Sequence, residues 1–282
     1  MGVGGRDWIG RLPAEFDGQR TILYRLLALS EADDDISWLV IGCSLARGAG
    51  DRLSDLDVAM GIRDECFTAT RDRVRAAADN LGNLVDSFHH QLPGVATVHE
   101  RIFAQYADRC QLDLVLLPAA IPSGSVPGAV VLYDQDHQLT ASDQRGSATP
   151  EQIREWAFRG WCALADLGKY LRRQSAWEAV DRLHEARAQL WQLQAAACGI
   201  PDPQYGLTSI LDFAPGQVPA GMQATVSDLD PARLLSAGQH LAALLSRTGE
   251  HLRSDQQAVL PHAMARYITA DLESLNDPRP GD

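Results

Sequence analysis

Leu39–Met60 reads LVIGCSLARGAGDRLSDLDVAM, and the order of residue types in it sets the fold class. An apolar run enters a turn rich in Gly, Ser and Arg. A second run leaves the turn alternating polar with apolar residues and carries Asp55 and Asp57. The first run predicts a buried strand and the second the next strand of a sheet. Two positions apart on a strand, the aspartates share one face, roughly 7 Å from each other. Like charges so placed repel unless a cation lies between them.

Working outward, Ile22, Leu23, Leu26, Leu27 and Leu29 predict a helix before the first strand. RDECFTATRDRVRAAADNLG after the second predicts a polar-faced helix closed by Gly82. ATVHERIFAQY (96–106) and QLDLVLLP (111–118) read as a hairpin, and GAVVLYD (128–134) as a last strand at the sheet edge. Residues 137–149 are polar and without period. Thr149, Pro150 and Gln152 then form a capping-box signature. Beyond it the chain is helical. Trp161, Leu164, Ala165, Gly168 and Leu171 make one stripe, and Trp177, Val180, Leu183, Ala186, Leu190 and Leu193 a second. Trp156, Trp161, Trp177 and Trp191 are expected in the core. Residues 201–221 read as a long loop, and Asp230 with Pro231 as the cap of a further helix. The expected fold is α+β: a mixed-sheet domain over residues 1–148, followed by a C-terminal helical bundle over 149–282.

Composition narrows the function. No apolar run approaches the roughly 20 residues needed to span a bilayer. The start MGVGGRDWIG lacks a signal-peptide core, which with the cysteine pattern gives a cytoplasmic expectation. Five cysteines, at 43, 66, 110, 162 and 198, form no CxxC pair, against both a disulfide framework and a zinc site. The net charge of −12 makes duplex nucleic acid an unfavourable partner and suits a cationic small molecule.

Asp113 strengthens the reading of Asp55 and Asp57. It lies in LDLVLLP, a run too apolar for a solvated edge. A charge there costs several kcal/mol unless it is paired or binds a metal. Its partner is either a cation shared with the other two acids, reached across an adjacent antiparallel strand, or a guanidinium such as Arg101 or Arg109. Three convergent carboxylates suit Mg²⁺, which prefers carboxylates together with substrate phosphates. Gly42, Gly48 and Gly50 allow backbone N–H groups to approach an anion; Ser44 adds a hydroxyl and Arg47 a forked cation. Acids and an anion cradle facing one cavity imply a nucleoside triphosphate with its metal.

GCSLARGAGDRLSDLD, with the later LDL, resembles the nucleotidyltransferase superfamily typified by DNA polymerase beta, and within it the bacterial branch that adenylates small molecules such as aminoglycoside and lincosamide antibiotics. Gly42, Ser44, Asp55, Asp57 and Asp113 fall on the family pattern, over about residues 38–118. Cys43 stands where the family commonly has Gly, so the turn pair is Gly42–Cys43 or Cys43–Ser44. The resemblance implies Asp55, Asp57 and Asp113 as catalytic Mg²⁺ ligands, and Gly42, Cys43, Ser44 and Arg47 at the nucleotide. It suggests a basic residue where the chain has Lys169, its single lysine, over the β- and γ-phosphates. The base is optional: Asp113, or a carboxylate of the helical domain such as Glu178 or Glu185. The implied reaction moves AMP from ATP, or the corresponding part of another triphosphate, to a hydroxyl of a small cationic acceptor, with antibiotic resistance as its setting and a homodimer as a possible assembly. Alternatives are a toxin-type enzyme acting on tRNA or protein, or a non-catalytic nucleotide-binding module. His89 and His90, beside Asp86, read as a loop before QLPG rather than as metal ligands.

Overall fold

The computed structural model describes residues 4–92, 99–120, 128–137, 139 and 146–276. The chain divides into two compact units, Met1–Arg145 and Gly146–Asp282. Residues 96–98 of the expected β-hairpin and most of the polar stretch 137–149 lie outside the described residues.

The first unit is built on a six-stranded mixed sheet. Its strands are β1 (Ile36–Ile41), β2 (Leu56–Ile62), β3 (Leu84–Leu92), β4 (His99–Tyr106), β5 (Gln111–Pro118) and β6 (Val130–Asp134), in the order β3-β4-β5-β2-β1-β6. β4 and β5 form the expected antiparallel pair, and β6 is the expected edge strand, beside β1. The neighbour of β5 on its other side, β2, runs parallel to it, not antiparallel. The crossover between them carries α4 (Phe67–Ala78), β3 and β4. α1 (Gly5–Arg11) and α2 (Asp17–Ala32) precede the sheet, and the short α3 (Cys43–Arg47) follows β1.

Alternation along β2, β4 and β5 sends one set of side chains into the core. Leu56, Val58, Met60, Ile102, Ala104, Leu112, Leu114 and Leu116 are buried together with Leu23, Leu26 and Leu27 of α2 and Val74 of α4. Glu100 is also on this face and is 0% exposed. Both oxygens of Glu100 accept from Arg75 of α4, and Arg71 lies 3.6 Å away, so the charge is neutralised where it is buried. The opposite face of the same strands carries Asp57, Asp113, Arg101 and Phe103.

Two local readings differ from the sequence expectation. α4 ends at Ala78 with Asp79 as its cap, and Gly82 is instead packed against the Tyr106 ring. β3 is a full strand, so His89 and His90 lie on a strand and not on a loop.

The second unit is helical: α5 (Pro150–Arg172), α6 (Ala176–Ala197), α7 (Leu207–Phe213), α8 (Pro231–Glu250), α9 (Ser254–Gln257) and α10 (His262–Ser274). The Thr149 hydroxyl accepts from Gln152 N, and the Gln152 side chain accepts from Thr149 N, closing the capping box at α5. Asp230 caps α8 through Arg233 N at 2.9 Å. Trp156, Trp161, Leu164, Leu183, Leu190 and Leu241 share the core. Trp191 is half-buried, but Trp177 is 74% exposed: at about 100° per residue it lies on the side of α6 opposite the buried Ala179, Leu183, Ala186 and Leu190. The stretch expected as one long loop contains α7 between short 3₁₀ turns.

Gly61 on β2 lies under the buried Trp38 of β1, where an added methyl group would overlap the indole ring. Gly61→Ala is expected to destabilise the protein by about 1–3 kcal/mol through overpacking, read as a lower urea midpoint with an unchanged slope.

Candidate active site

Parallel pairing of β2 with β5 sets Asp57 beside Asp113 in register. Their Cα atoms are therefore about one strand spacing apart, roughly 4.8 Å, with side chains on the same face. Asp55, just ahead of β2, shares that face. The three predicted acids thus meet at one end of the sheet. Asp113 is buried, as its apolar flanks require.

Two neighbours manage the charge. Arg101, on β4, donates from Nε to Asp113 Oδ1 at 2.7 Å and from its terminal nitrogen to Oδ2. Of the two guanidinium groups considered for Asp113 it is Arg101 that pairs; Arg109 belongs to the turn before β5. The second neighbour is Cys43, whose thiol donates to the Asp57 carboxylate. Burial, then the Asp57 charge, push this thiol up to about 12, so it is a fixed donor and not a nucleophile. Asp57 itself is held above the usual carboxylate range. Burial is the main cause and the charge of Asp55 the next, while the Cys43 hydrogen bond pulls the other way.

α3 begins at Cys43 and stops at Gly48, which adopts a left-handed φ of 74°. The stretch expected as an open loop is therefore a short helix between glycines. The Gly42 N–H is not directed at a ligand: it donates to the Asp57 carbonyl at 2.8 Å, fastening the end of β1 to the start of β2. Cys43 has a φ of 53°, a region that L-residues enter at about 1–2 kcal/mol. A Gly at this position would carry no such strain, and the Cys43 thiol is placed on Asp57. Ser44 and Arg47 lie on the same short helix. The N–H groups of its first turn are the ones a helix leaves without partners.

The predicted residues of the helical unit are engaged locally. Lys169, on α5, pairs with Asp166 and stands 4.7 Å from the Tyr170 ring centroid. Glu185 pairs with Arg182, and Glu178 accepts from the Ser175 hydroxyl. His89 and His90, as successive strand residues, point to opposite faces and cannot share an ion.

Beside the acids lies a cleft of about 280 Å³, with Asp55, Asp86, Phe88, Phe103, Gln105 and Asp113 among its lining. Phe88, at 62%, and Phe103, at 37%, expose their rings there. Sequence reading missed this part, because Phe88 lies in a strand whose alternation is masked by polar residues on both faces.

The donor chemistry at the sheet end fits a hard divalent cation: carboxylates in register on β2 and β5, with the half-buried Asp57 repelled chiefly by Asp55. Among the described residues, however, no three His, Cys, Asp or Glu side chains are grouped ready to hold a metal. At this site both oxygens of Asp113 accept from Arg101.

The class these features define is an α+β protein with an acidic site on the open face of a mixed sheet. No family model matches the chain, and no curated protein does. Two of the solved structures similar to it are the following. An aminoglycoside 6-adenyltransferase from Bacillus subtilis is 15% identical with a TM-score of 0.42, over 94% of this chain and 100% of that one. A nucleotidyltransferase-like protein from Exiguobacterium sibiricum 255-15 is 15% identical with a TM-score of 0.35, over 93% of this chain and 89% of that one. Among the described residues no helix is long and apolar enough to cross a membrane.

Asp57 binds its proton more tightly in the folded chain than in the unfolded one. Its ionisation therefore opposes folding above the ordinary carboxylate value of 3.8 and not below it. Asp57→Asn, in chelator-treated buffer, is expected to raise the melting temperature at neutral pH. The advantage shrinks as the pH falls towards that value. Thermal unfolding followed across pH checks both the sign and the window.

Proposed function

We propose that the protein is a Mg²⁺-dependent nucleotidyltransferase that moves AMP from ATP to a hydroxyl of a small cationic acceptor of the aminoglycoside-like kind. The observation that carries this reading is the in-register pair Asp57–Asp113, with Asp55 on the same face, at the sheet end where α3 begins. A half-buried carboxylate with like charges beside it is unfavourable and would be stabilised by a divalent ion and phosphates.

In this reading Asp55 and Asp57 hold the metal, and Asp113 joins them when Arg101 releases it. The ion supplies charge neutralisation for the triphosphate and a lowered pKa for the acceptor hydroxyl. The remaining work falls to the protein. The first-turn N–H groups of α3, the Ser44 hydroxyl and Arg47 receive phosphate oxygens. Gly42 contributes by holding α3 against Asp57, and Cys43 by donating to that carboxylate. A bond forms between the acceptor oxygen and the α-phosphorus as the bond to the bridging oxygen breaks. Pyrophosphate leaves, and the hydroxyl proton passes to a carboxylate or to water. Positioning and electrostatics supply most of the acceleration. Residues 149–282 serve as the helical substrate-binding part, with Lys169 assigned to the nucleotide on the family resemblance. The net charge of −12 supports a cationic acceptor over a nucleic acid.

Pyrophosphate release measured with MgATP and a panel of aminoglycosides tests the proposal. Asp57→Ala is expected to lower turnover by about 10³-fold or more, since it removes charge that the transition state needs. Turnover by the Asp57→Ala variant equal to that of the unaltered protein refutes the mechanism.

A further inference from the structure

Five positions lie side by side across the sheet at one level. The Gly42 N–H bonds to the Asp57 carbonyl; Asp57 pairs with Asp113, Asp113 with Phe103, and Phe103 with Phe88. Asp57, Asp113, Phe103 and Phe88 all project from the open face. The row therefore has a direction. Its β1 end carries α3, its centre carries the acids, and its β3 end carries phenyl rings.

The rings form an organised surface. The His90 ring stacks on Phe103 with centroids 6.0 Å apart and lies 5.5 Å from Phe88. Arg101, while bonded to Asp113, has its guanidinium carbon 4.5 Å from the Phe103 centroid. Arg101 thus covers part of Phe103 and leaves Phe88 as the open ring of the cleft. The rim is acidic: Asp86 pairs in register with Gln105 at the β3 end, and Asp55 and Asp113 border the other.

Nucleotidyl transfer imposes a geometric condition. The attacking and leaving oxygens stand roughly in line on opposite sides of the phosphorus. With phosphates received at α3 and the phosphorus over the acids, the attacking hydroxyl arrives from the β4–β3 side. We propose that Phe88 and Phe103, with Asp86, are the seat of the acceptor: a saturated ring lays its C–H face on the phenyl groups and sets an ammonium group against Asp86. This rests on the nucleotidyl-transfer reading for the direction of attack, but the seat itself is tested by binding alone. Charge decides between this occupant and the triphosphate tail. With Arg101 and Asp113 offsetting each other, Asp86 at one end of the cleft and Asp55 at the other attract an ammonium and repel phosphate. The rings supply an apolar floor that carboxylates alone lack, so the cleft discriminates shape as well as charge.

The experiment is calorimetry on the full chain with two probes, MgATP and the aminoglycoside kanamycin, each titrated separately. The variants are Phe88→Ser, Phe88→Tyr and Asp86→Asn. Phe88 and Asp86 are exposed, so these changes leave the core untouched. Phe88→Ser and Asp86→Asn are expected to weaken kanamycin about tenfold, with Phe88→Tyr within about threefold of the unaltered protein and MgATP affinity within about twofold throughout. Failure of kanamycin to bind the unaltered protein at millimolar concentration overturns the seat. So does affinity that neither Phe88→Ser nor Asp86→Asn changes. Loss of MgATP affinity in Phe88→Ser, with kanamycin unaffected, overturns it in favour of a base-stacking platform. Failure of MgATP to bind the unaltered protein counts against nucleotidyl transfer and leaves the kanamycin series to decide the seat by itself.

Discussion

Two carboxylates occupy adjacent strands at the same level, and the first unit is arranged around that fact. β2 and β5 run parallel, so Asp57 and Asp113 have no stagger to separate them. In an antiparallel pair a one-residue slip would send one of them to the opposite face; here register and apolar burial on the other face forbid it. Leu56, Val58, Leu112 and Leu114 flank the two acids and must stay in the core, which pins the aspartates outward. The hydrophobic face thus determines where the charged one lies.

The surrounding groups answer the repulsion unequally. Asp113 receives a two-point guanidinium from Arg101, while Asp57 receives the weaker thiol of Cys43. Asp57 is accordingly the acid held above the ordinary range. The backbone contributes a further cost at the same place, since Cys43 adopts a positive φ to bring its side chain to Asp57. An L-residue in that conformation and a half-buried carboxylate next to another are both unfavourable for a structural sheet. The two coincide where the start of α3 faces β2, and it is this coincidence that singles out this end of the sheet as the candidate site.

Much of this was legible in the chain. The i, i+2 spacing of Asp55 and Asp57, and an Asp inside LDLVLLP, are local patterns with direct physical meaning. So is the Thr149–Pro150–Gln152 cap, which the structure reproduces donor by donor. What was not legible depends on long-range pairing. A hairpin correctly placed β4 beside β5, but nothing local says that the next neighbour of β5 is β2 in parallel, after a crossover through α4, β3 and β4. β3 was unreadable for a different reason. As an edge strand it has exposed residues on both faces, so LVDSFHHQL lacks the apolar alternation that marks a half-buried strand. Trp177 misled in the opposite way: steps of three residues from Trp177 to Leu183 drift about 60° each around the helix, so the tryptophan ends on the far side from the buried residues of α6.

Arg101 ties these features together. On the strand next to β5 it reaches Asp113, and by the same reach it lies over Phe103. A guanidinium is suited to both contacts at once, because its edge carries the donors and its plane the stacking surface. It neutralises the buried acid, and it covers part of one of the two rings in the cleft. The guanidinium that pairs with Asp113 is thus the same group that covers part of Phe103. One side chain couples the charge state of the acids to the shape of the neighbouring cleft, through contacts no longer than a single residue. That coupling needs no movement of the sheet, only a change of partner for one guanidinium.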